Sequence, residues 1–388
     1  MIRFFLIFLL ILINFISSQN KNPIVLVHGF MGWGEEEMGP YKYWGGWFDL
    51  VGELEKEGYT IFVASVGPVS SSWDRAIELY YQLKGGRIDY GKYHSEKYGL
   101  IQKPLEKDYK GLYPQWSEKN PLHFIGHSMG GQTIRMLDYL LNNVIQDSLG
   151  TLEKSKLLGK PNKGWIKSIT TLSTPHDGTT ISDFINAGIP FLQNFIALAG
   201  VAGNSFYDFD LEQWGFKRFK EESWINYFKR MKQHSIWDSK NTVAWDSSIE
   251  GAKEINSLCV ANPDVYYFSI TNYKTKIDED SGYHKPMKGM SNILKVQARL
   301  MGRKKAYYSD GTSTDSTWYL NDGVVNTVSM FGPTTGSNGP DPITEFRQGD
   351  LVIPGQWYVM GNYEFDHSAL IGHQMRKDEY PSLKKIYS

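Results

Sequence analysis

Short apolar runs alternate along the chain with segments of helical periodicity. Ile24–Phe30 begins with four consecutive apolar residues, as expected for a strand buried on both faces of a sheet. In Asp49–Gly58 apolar residues recur at helical spacing among charges, which predicts an amphipathic helix. Further strands are predicted at Tyr59–Ala64, Leu122–Ile125, Ile166–Leu172, Val265–Ile270 and Trp357–Met360, and a further helix at Ser72–Leu83 with Ser72 as its N-cap. This alternation predicts an α/β fold with a mainly parallel sheet and right-handed crossovers.

Two stretches depart from the alternation. Gly85–Lys119 is rich in tyrosine, lysine and glycine and is longer than an ordinary connection, so we interpret it as an irregular insertion before the strand at Leu122. Ile181–Tyr207 has many large apolar residues and too few polar ones for the polar stripe of a surface helix. It is either a helix pair buried in the core or a movable cover whose underside faces an apolar site.

The N-terminus has the features of a secretory signal peptide. Arg3 precedes an apolar run from Phe4 to Ile13, and small residues follow at Ser17-Ser18. An uncleaved anchor is the alternative, but the run is shorter than the ~20 apolar residues that a membrane-spanning helix needs. We expect residues 1–18 to be a signal peptide and residues 19–388 to form one domain without a transmembrane segment. The protein is then secreted or enters the lumen of the secretory pathway.

Composition narrows the classes of function. The chain has 388 residues, of which 41% are hydrophobic and 14% aromatic, enough to bury a large core. Its formal net charge of −1 gives no indication of a nucleic-acid partner. Cys259 is the single cysteine, so no disulfide bond can form within the chain and the fold must be held by packing.

The most informative motif is Gly126-His127-Ser128-Met129-Gly130, which follows a predicted strand and precedes a helical pattern. This is the G-x-S-x-G arrangement, in which a serine occupies a strained strand-to-helix turn. Residues two before and two after the serine crowd each other there, so glycine is required at both positions. A chance match is the alternative in a chain with 38 glycines, but the flanking strand and helix favour a nucleophile at Ser128.

Two backbone N–H groups are candidates for stabilising an oxyanion beside this serine. The N–H of Met129 lies at the start of the predicted helix, where an anion is favoured. The strand at Ile24 ends in His28-Gly29-Phe30, and a loop following such a strand supplies the second N–H in enzymes built on this motif. We therefore predict Phe30 as the second donor, the alternative being that His28-Gly29 merely ends a strand.

A serine hydroxyl needs a histidine base to activate it, and in enzymes of this type the order along the chain is serine, acid, histidine. Five histidines follow Ser128. We expect His234 and His284 to be solvated, and His176 leaves no room for an acid before it. His367 and His373 remain, and His367 is favoured because it lies in a loop directly after the last predicted strand.

The acid is predicted at Asp322, within Asn321-Asp322-Gly323, where a carboxylate stands at a tight turn after a long loop. An ordinary Asp-Gly turn is the alternative reading of this tripeptide. Asp177 is the second candidate, although a structural role is more natural for it. Asp366 is excluded because neighbours on an extended chain point to opposite faces, away from each other.

Taken together, the motifs resemble those of the secreted triacylglycerol lipases of the Bacillus and staphylococcal type, which have the α/β-hydrolase fold. The resemblance extends from Pro23 to about Gly372 and is carried by VLVHGFMGWGEEEMG, GHSMGGQTIRML, TLSTPHDGTT, YDFDLEQWG, WYLNDGVVNTVSM and DHSALIG. It implies a central sheet with helices on both faces and a helical lid at about residues 178–240. It also implies acylglycerol substrates at a lipid–water interface and catalysis by Ser128, Asp322 and His367, with Phe30 and Met129 forming the oxyanion hole.

The chain departs from the metal sites that the resemblance implies. The zinc site of these lipases uses two aspartates and two histidines; Asp74 and His94 match two of them, but Leu100 and Asn241 stand at the others. Leucine cannot coordinate a metal and a neutral amide is a poor zinc ligand. At the calcium site, Ala369 and Gln374 replace carboxylates, which hard cations require. We therefore expect no metal and no other cofactor.

Three classes of function remain open. A triacylglycerol lipase is favoured by the motifs and the apolar segment. A carboxylesterase or phospholipase could use the same triad. A non-catalytic lipid-binding protein is the third, although all five predicted catalytic positions carry usable chemistry.

Overall fold

A seven-stranded parallel sheet forms the centre of the protein. The computed structural model describes residues 22–105, 107–181, 211–216, 219–375 and 378–387. The sheet has the strand order β10-β11-β7-β6-β5-β1-β2, with every neighbouring pair parallel. Its strands are β1 (Ile24–Val27), β2 (Ile61–Ala64), β5 (Leu122–His127), β6 (Ile166–Leu172), β7 (Tyr266–Asn272), β10 (Ile343–Glu345) and β11 (Trp357–Tyr363). Two short antiparallel strand pairs lie outside this sheet. One pairs β3 (Gly86–Arg87) with β4 (Asp108–Tyr109), and the other is a hairpin of β8 (Thr275–Ile277) and β9 (His284–Pro286).

Helices cover both faces of this sheet, because alternate residues of each buried strand point to opposite sides. On β1, Val25 and Val27 join a core with α2, α4 and α7, whereas Leu26 joins a second core with α1 and α9. The helices are α1 (Leu50–Lys56), α2 (Ser72–Lys84), α3 (Lys92–Tyr98), α4 (Met129–Asn142), α5 (Trp224–Lys232), α6 (Val243–Asp246), α7 (Ile249–Leu258), α8 (Lys295–Met301) and α9 (Tyr380–Tyr387). Short 3₁₀ turns occur at Glu212–Trp214, Ser235–Asp238, Ser316–Tyr319, Thr327–Met330 and Ala369–Ile371.

The predicted parallel α/β architecture is confirmed, while several local predictions are wrong. Gly85–Lys119 is not wholly irregular, because it contains α3 and the antiparallel strand pair β3–β4. The N-cap of α2 is Ser71, whose hydroxyl accepts from the N–H of Asp74, so the predicted cap at Ser72 is one residue late. The edge strand β10 was not predicted, since three residues are too few to show a period.

The predicted signal peptide, residues 1–18, lies outside the described residues, as does the larger part of the predicted lid, residues 182–210. Of the lid region, the described parts include the turn at Glu212–Trp214 and helix α5. Among the helices that the structure describes, none has the length and apolar character required to cross a membrane.

The carboxyl ends of the central strands bring the candidate residues to one edge of the sheet. β5 lies between β1 and β6, and Ser128 follows it directly. Phe30 follows β1, and His367 follows β11. Ligands of open parallel sheets bind at this edge, outside the carboxyl ends of the strands.

Candidate functional site

The turn between β5 and α4 holds Ser128 in a strained conformation. Its φ and ψ angles are 56° and −128°, in a region that residues with a side chain rarely adopt. A Cβ atom added to Gly126 would lie 2.5 Å from the carbonyl carbon of Gly130 and the nitrogen of Gly131. One added to Gly130 would overlap the carbonyl oxygen of Val27. Gly126 therefore allows the close approach within the turn, and Gly130 allows the turn to pack against the end of β1.

The loop after β1 packs directly against this serine. A Cβ atom on Gly29 would lie 2.7 Å from the Cβ of Ser128 and 3.2 Å from its Oγ, so glycine is the residue that permits the contact. The loop thus brings the backbone at Phe30 close to the serine. Met129 is the first residue of α4, and its N–H is one of the first-turn donors that have no acceptor within the helix. Met129 and the loop that contains Phe30 are therefore both adjacent to Ser128.

Asp322 and His367 form a buried pair. The Nδ1 atom of His367 lies 2.7 Å from Oδ2 of Asp322, and the backbone N–H of His367 donates to the Asp322 carbonyl oxygen at 3.1 Å. The other carboxylate oxygen, Oδ1, accepts from the N–H groups of Val324 and Val325 at 2.8 and 2.7 Å. With Nδ1–H directed at the carboxylate, Nε2 of His367 is the ring nitrogen that can accept a proton.

His127 connects this pair to the serine turn. It precedes Ser128 in the chain, and its ring centroid lies 4.6 Å from that of His367. Its Nε2 lies 3.1 Å from the carbonyl oxygen of His367, and because a carbonyl only accepts, Nε2 must carry the hydrogen. The structure thus brings Ser128 and His367 into one cluster although 239 positions separate them.

Tyr43 completes a hydrogen-bonded chain across the site. Its hydroxyl oxygen accepts from the N–H of Gly29 at 2.9 Å and lies 2.6 Å from Nδ1 of His127. Since Nε2 of His127 carries the hydrogen, Nδ1 accepts from the tyrosine hydroxyl. Burial lowers the pKa of His127 well below its usual value and raises that of Tyr43, so both groups stay neutral. Gly29, Tyr43, His127 and His367 are thereby joined through neutral groups.

Arg75 of α2 holds the loop after β1 in place through hydrogen bonds. Its guanidinium is fully buried and donates to the carbonyl oxygens of His28 and, at 2.8 Å, Gly67. Its Nε donates at 2.8 Å to the hydroxyl of Thr133 in α4, which in turn donates to the carbonyl oxygen of Met129. The arginine therefore connects the end of β1 to the helix that begins at Met129. Burial and this cation lower the pKa of His28 to about 3.

The other histidines after Ser128 have structural environments. His176 is buried against Trp357, and burial lowers its pKa well below the usual value. Nε2 of His373 lies 2.9 Å from the carbonyl oxygen of Tyr43, to which it donates. The expectation that His234 and His284 are solvated is wrong: each is half-buried, and burial lowers both pKa values. The ring of His234 packs edge-on against the ring of Phe216, and His284 is the first residue of β9.

The two alternative carboxylates are likewise occupied elsewhere. Asp177 accepts from the backbone N–H groups of Thr334 and Thr335 and from the amide of Asn256. Asp366 accepts from the N–H of Ser291 at 2.7 Å and from that of Ala369 at 2.9 Å. Each carboxylate therefore ties loops together.

Three of the four positions that correspond to the zinc site of the lipases that the sequence resembles form a hydrogen-bonded group. They are Asp74, His94 and Asn241. Nε2 of His94 lies 2.7 Å from Oδ1 of Asp74, and the amide nitrogen of Asn241 donates to Oδ2 of Asp74 at 2.9 Å. The side chain of Leu100 packs into an apolar cluster. Since Asn241 presents a hydrogen-bond donor to the carboxylate, this donor set does not fit zinc. No group of three or more potential metal-binding histidine, cysteine or acidic side chains exists among the described residues.

A further buried carboxylate, Asp246, lies near this group. It accepts from the N–H of Ser72 at 2.5 Å, and burial raises its pKa to about 7, with Asp74 adding to the effect. Asp246, Tyr43, His127 and Arg75 were not singled out from the sequence. Only His127 carried a signal, because it belongs to the G-x-S-x-G motif; the others are remote in sequence from the groups they contact.

Comparison with known proteins identifies relatives over nearly the whole chain. The sequence profile of the family described as lipase-like, C-terminal domain matches residues 20–380. Lipase 2 of Staphylococcus aureus strain N315 is 36% identical over 370 residues, which is 92% of this chain and 51% of that protein. The chain therefore spans about half the length of the curated relatives it matches.

Two solved structures are similar over at least 90% of their length. EstA from Clostridium botulinum is 40% identical with a TM-score of 0.83, covering 97% of this chain and 90% of that one. The Staphylococcus hyicus lipase is 36% identical with a TM-score of 0.84, covering 95% and 94%. The architecture described above is thus shared with these proteins.

Proposed function

Because the chain belongs to the lipase-like C-terminal domain family and has the α/β-hydrolase fold, we propose that it is a triacylglycerol lipase. In this proposal it hydrolyses the carboxylic ester bonds of acylglycerols through an acyl-enzyme. Relatives named as lipases support the reaction class. Support for the catalytic residues comes from the contact of His367 with Asp322 on one side and with His127, the neighbour of Ser128, on the other.

The proposed mechanism is acyl transfer to Ser128 and then to water. His367 accepts the serine proton at Nε2 as Oγ attacks the ester carbonyl, and Asp322 holds the imidazole in the required tautomer. The N–H groups of Phe30 and Met129 stabilise the oxyanion of the tetrahedral intermediate. His367 then protonates the leaving alcohol, and a water molecule repeats the sequence on the acyl-enzyme.

The observation that carries the proposal is the strained serine turn combined with the buried Asp322–His367 pair. The experiment is hydrolysis by the purified chain and by Ser128→Ala, with Ser95→Ala as the matched control. We expect Ser128→Ala to be folded by circular dichroism and to lose ester hydrolysis almost entirely, while the control retains it. A folded Ser128→Ala variant with full activity would remove the mechanism.

Chain length of the substrate separates a lipase from a carboxylesterase. The experiment compares the hydrolysis of emulsified long-chain esters with that of dissolved short-chain esters. For a lipase we expect the rate to rise above the solubility limit of the substrate. A preference for dissolved short-chain esters without such a rise would favour a carboxylesterase, and release of fatty acid from phospholipids alone would favour a phospholipase.

We further propose that catalysis and folding use neither zinc nor calcium and need no other cofactor. The proposal rests on the donor set at the zinc positions, where the amide of Asn241 donates to Asp74. At the calcium positions, Ala369 and Gln374 supply no carboxylate. Secretion through a cleaved signal peptide at residues 1–18 is also proposed, on the charge and apolar pattern alone. N-terminal sequencing of the exported protein tests it.

A further inference from the structure

Helix α8 has one face in the core and an apolar face in solvent. Leu294, Ala298 and Met301 are buried, and the first two pack against the turn that follows Asp322. The opposite side exposes 63% of Val296 and 40% of Leu300, and Ile293 in the preceding turn is 72% exposed. Val296 and Leu300 are four positions apart, so they form one stripe along the helix. A stripe of large apolar residues in solvent indicates an interaction surface.

Cations border this stripe. Between Asp280 and Asp310 the chain has seven lysine and arginine residues and no acidic residue, although its overall formal charge is −1. Lys285, in β9, forms an ion pair with Asp278 at 2.5 Å, so it is not counted among the cations that border the stripe. Lys295 and Arg299 lie on α8, four positions apart, and Arg303 follows the end of the helix. We define the α8 face by its apolar and cationic residues: Ile293, Lys295, Val296, Arg299, Leu300 and Arg303.

The α8 face lies next to the proposed catalytic residues. A Cβ atom on Gly323 would lie 2.9 Å from the Cβ of Leu294, so α8 packs on the residue that follows Asp322. The loop before α8 is tied to Asp366, the neighbour of His367, through the N–H of Ser291. A surface that adsorbs α8 therefore also holds the loops carrying Asp322 and His367 close to it.

We propose that the α8 face docks the protein onto an anionic lipid–water surface. An exposed apolar stripe bordered by cations is the pattern of a helix that lies in the plane of a charged interface. The chemistry of the substrate supplies the complementary charge, because ester hydrolysis releases carboxylic acids that ionise and remain at the interface. This inference rests on the proposed function, since it names the kind of surface on which the same site acts.

Vesicle binding without hydrolysis tests the proposal. The full chain is sedimented with vesicles of ether-linked phosphatidylcholine, alone or mixed with ether-linked phosphatidylglycerol, because ether lipids contain no ester to cleave. We expect binding to increase at least about a hundredfold with the anionic lipid and to fall as salt is added. The triple variant K295Q/R299Q/R303Q should lose about a hundredfold of this binding, since each cation near an anionic leaflet contributes about fivefold.

The matched control removes the same charge at the other edge of the sheet. Lys154, Lys160 and Lys163 are exposed in the connection that precedes β6, at its amino end. We expect K154Q/K160Q/K163Q to bind like the unchanged protein. Val296→Ser with Leu300→Ser should weaken binding at least about tenfold through lost apolar burial. Equal binding to neutral and anionic vesicles, or equal losses in the α8 and control triple variants, would overturn the proposal.

Hydrolysis of a dissolved short-chain ester separates this inference from the proposed function. None of the substituted residues belongs to the catalytic cluster, so every variant should keep the rate of the unchanged protein on that substrate. Absence of hydrolysis by the unchanged protein would reject the lipase proposal alone, because vesicle binding is measured independently of any reaction.

Discussion

Replacing Tyr43 by phenylalanine removes one oxygen atom that serves two buried groups. The hydroxyl accepts from the N–H of Gly29 at 2.9 Å and donates to Nδ1 of His127 at 2.6 Å, and Tyr43 itself is 6% exposed. His127 cannot adapt by changing its tautomer, because its Nε2–H donates to the carbonyl oxygen of His367. Both groups therefore lose their partner in a place that water does not reach.

The size of the effect follows from the two unsatisfied groups. Each buried donor or acceptor left without a partner costs about 1–3 kcal/mol, so we expect Tyr43→Phe to lower the free energy of unfolding by about 2–6 kcal/mol. Gly29 precedes the proposed donor Phe30, and losing one oxyanion donor costs about 10²–10³ in rate. A displaced donor costs part of this, so we expect kcat to fall about tenfold with KM for a dissolved ester unchanged.

Urea denaturation followed by tryptophan fluorescence measures the stability, and hydrolysis of a dissolved ester measures kcat and KM separately. Tyr41→Phe is the matched control: Tyr41 lies in the same loop and is half-buried against Trp47. We expect the control to retain both properties. The reasoning is refuted if Tyr43→Phe keeps the unfolding free energy and kcat of the unchanged protein, or if both tyrosine variants lose them equally.

Three further outcomes are expected. Asp322→Asn should keep the fold and lower kcat about 10⁴-fold, because the amide favours the wrong tautomer of His367; a loss under tenfold would contradict the assignment. Burial raises the pKa of Asp246 to about 7, above its unfolded value, so its contribution to stability is complete below about pH 4 and is lost as pH rises through 7. The stability of Asp246→Asn relative to the unchanged protein should thus grow by a few kcal/mol between pH 4 and pH 8 in urea titrations, and a constant difference would refute the cause. EDTA should leave the melting temperature and activity unchanged, whereas Leu100→His combined with Asn241→Asp should make the melting temperature rise with added zinc; a loss of stability of the unchanged protein in EDTA would contradict the metal proposal.

Local chemistry made the sheet and the serine turn predictable from the sequence. The G-x-S-x-G motif is short enough to recognise from the sequence. In the structure Gly126 permits a close contact inside the turn, whereas Gly130 permits the contact of the turn with the end of β1. The strand at Ile24–Val27 is a continuous run of apolar residues, which needs no distant information to be recognised. The parallel order then follows from the alternation of strands and helices.

Long-range polar contacts explain what the sequence did not reveal. Tyr43 bonds to a histidine 84 positions away, and no local pattern distinguishes it from Tyr41 in the same loop. Arg75 lies within an ordinary helix, and its function in fixing the loop after β1 depends on carbonyl groups that only the folded chain brings together. The irregular composition of Gly85–Lys119 likewise concealed α3, whose stability depends on packing rather than on a clear periodicity.

Labelling with an alkyl phosphonate ester followed by peptide mass spectrometry tests the catalytic cluster most directly. A serine activated by His367 attacks the phosphorus, expels the leaving group and retains the phosphonyl group as a covalent adduct. We predict a single adduct on Ser128, no adduct in Ser128→Ala, and a labelling rate at least about 10³-fold lower in a folded His367→Ala variant. An adduct on another residue, or labelling of Ser128 at an unchanged rate without His367, would contradict the account.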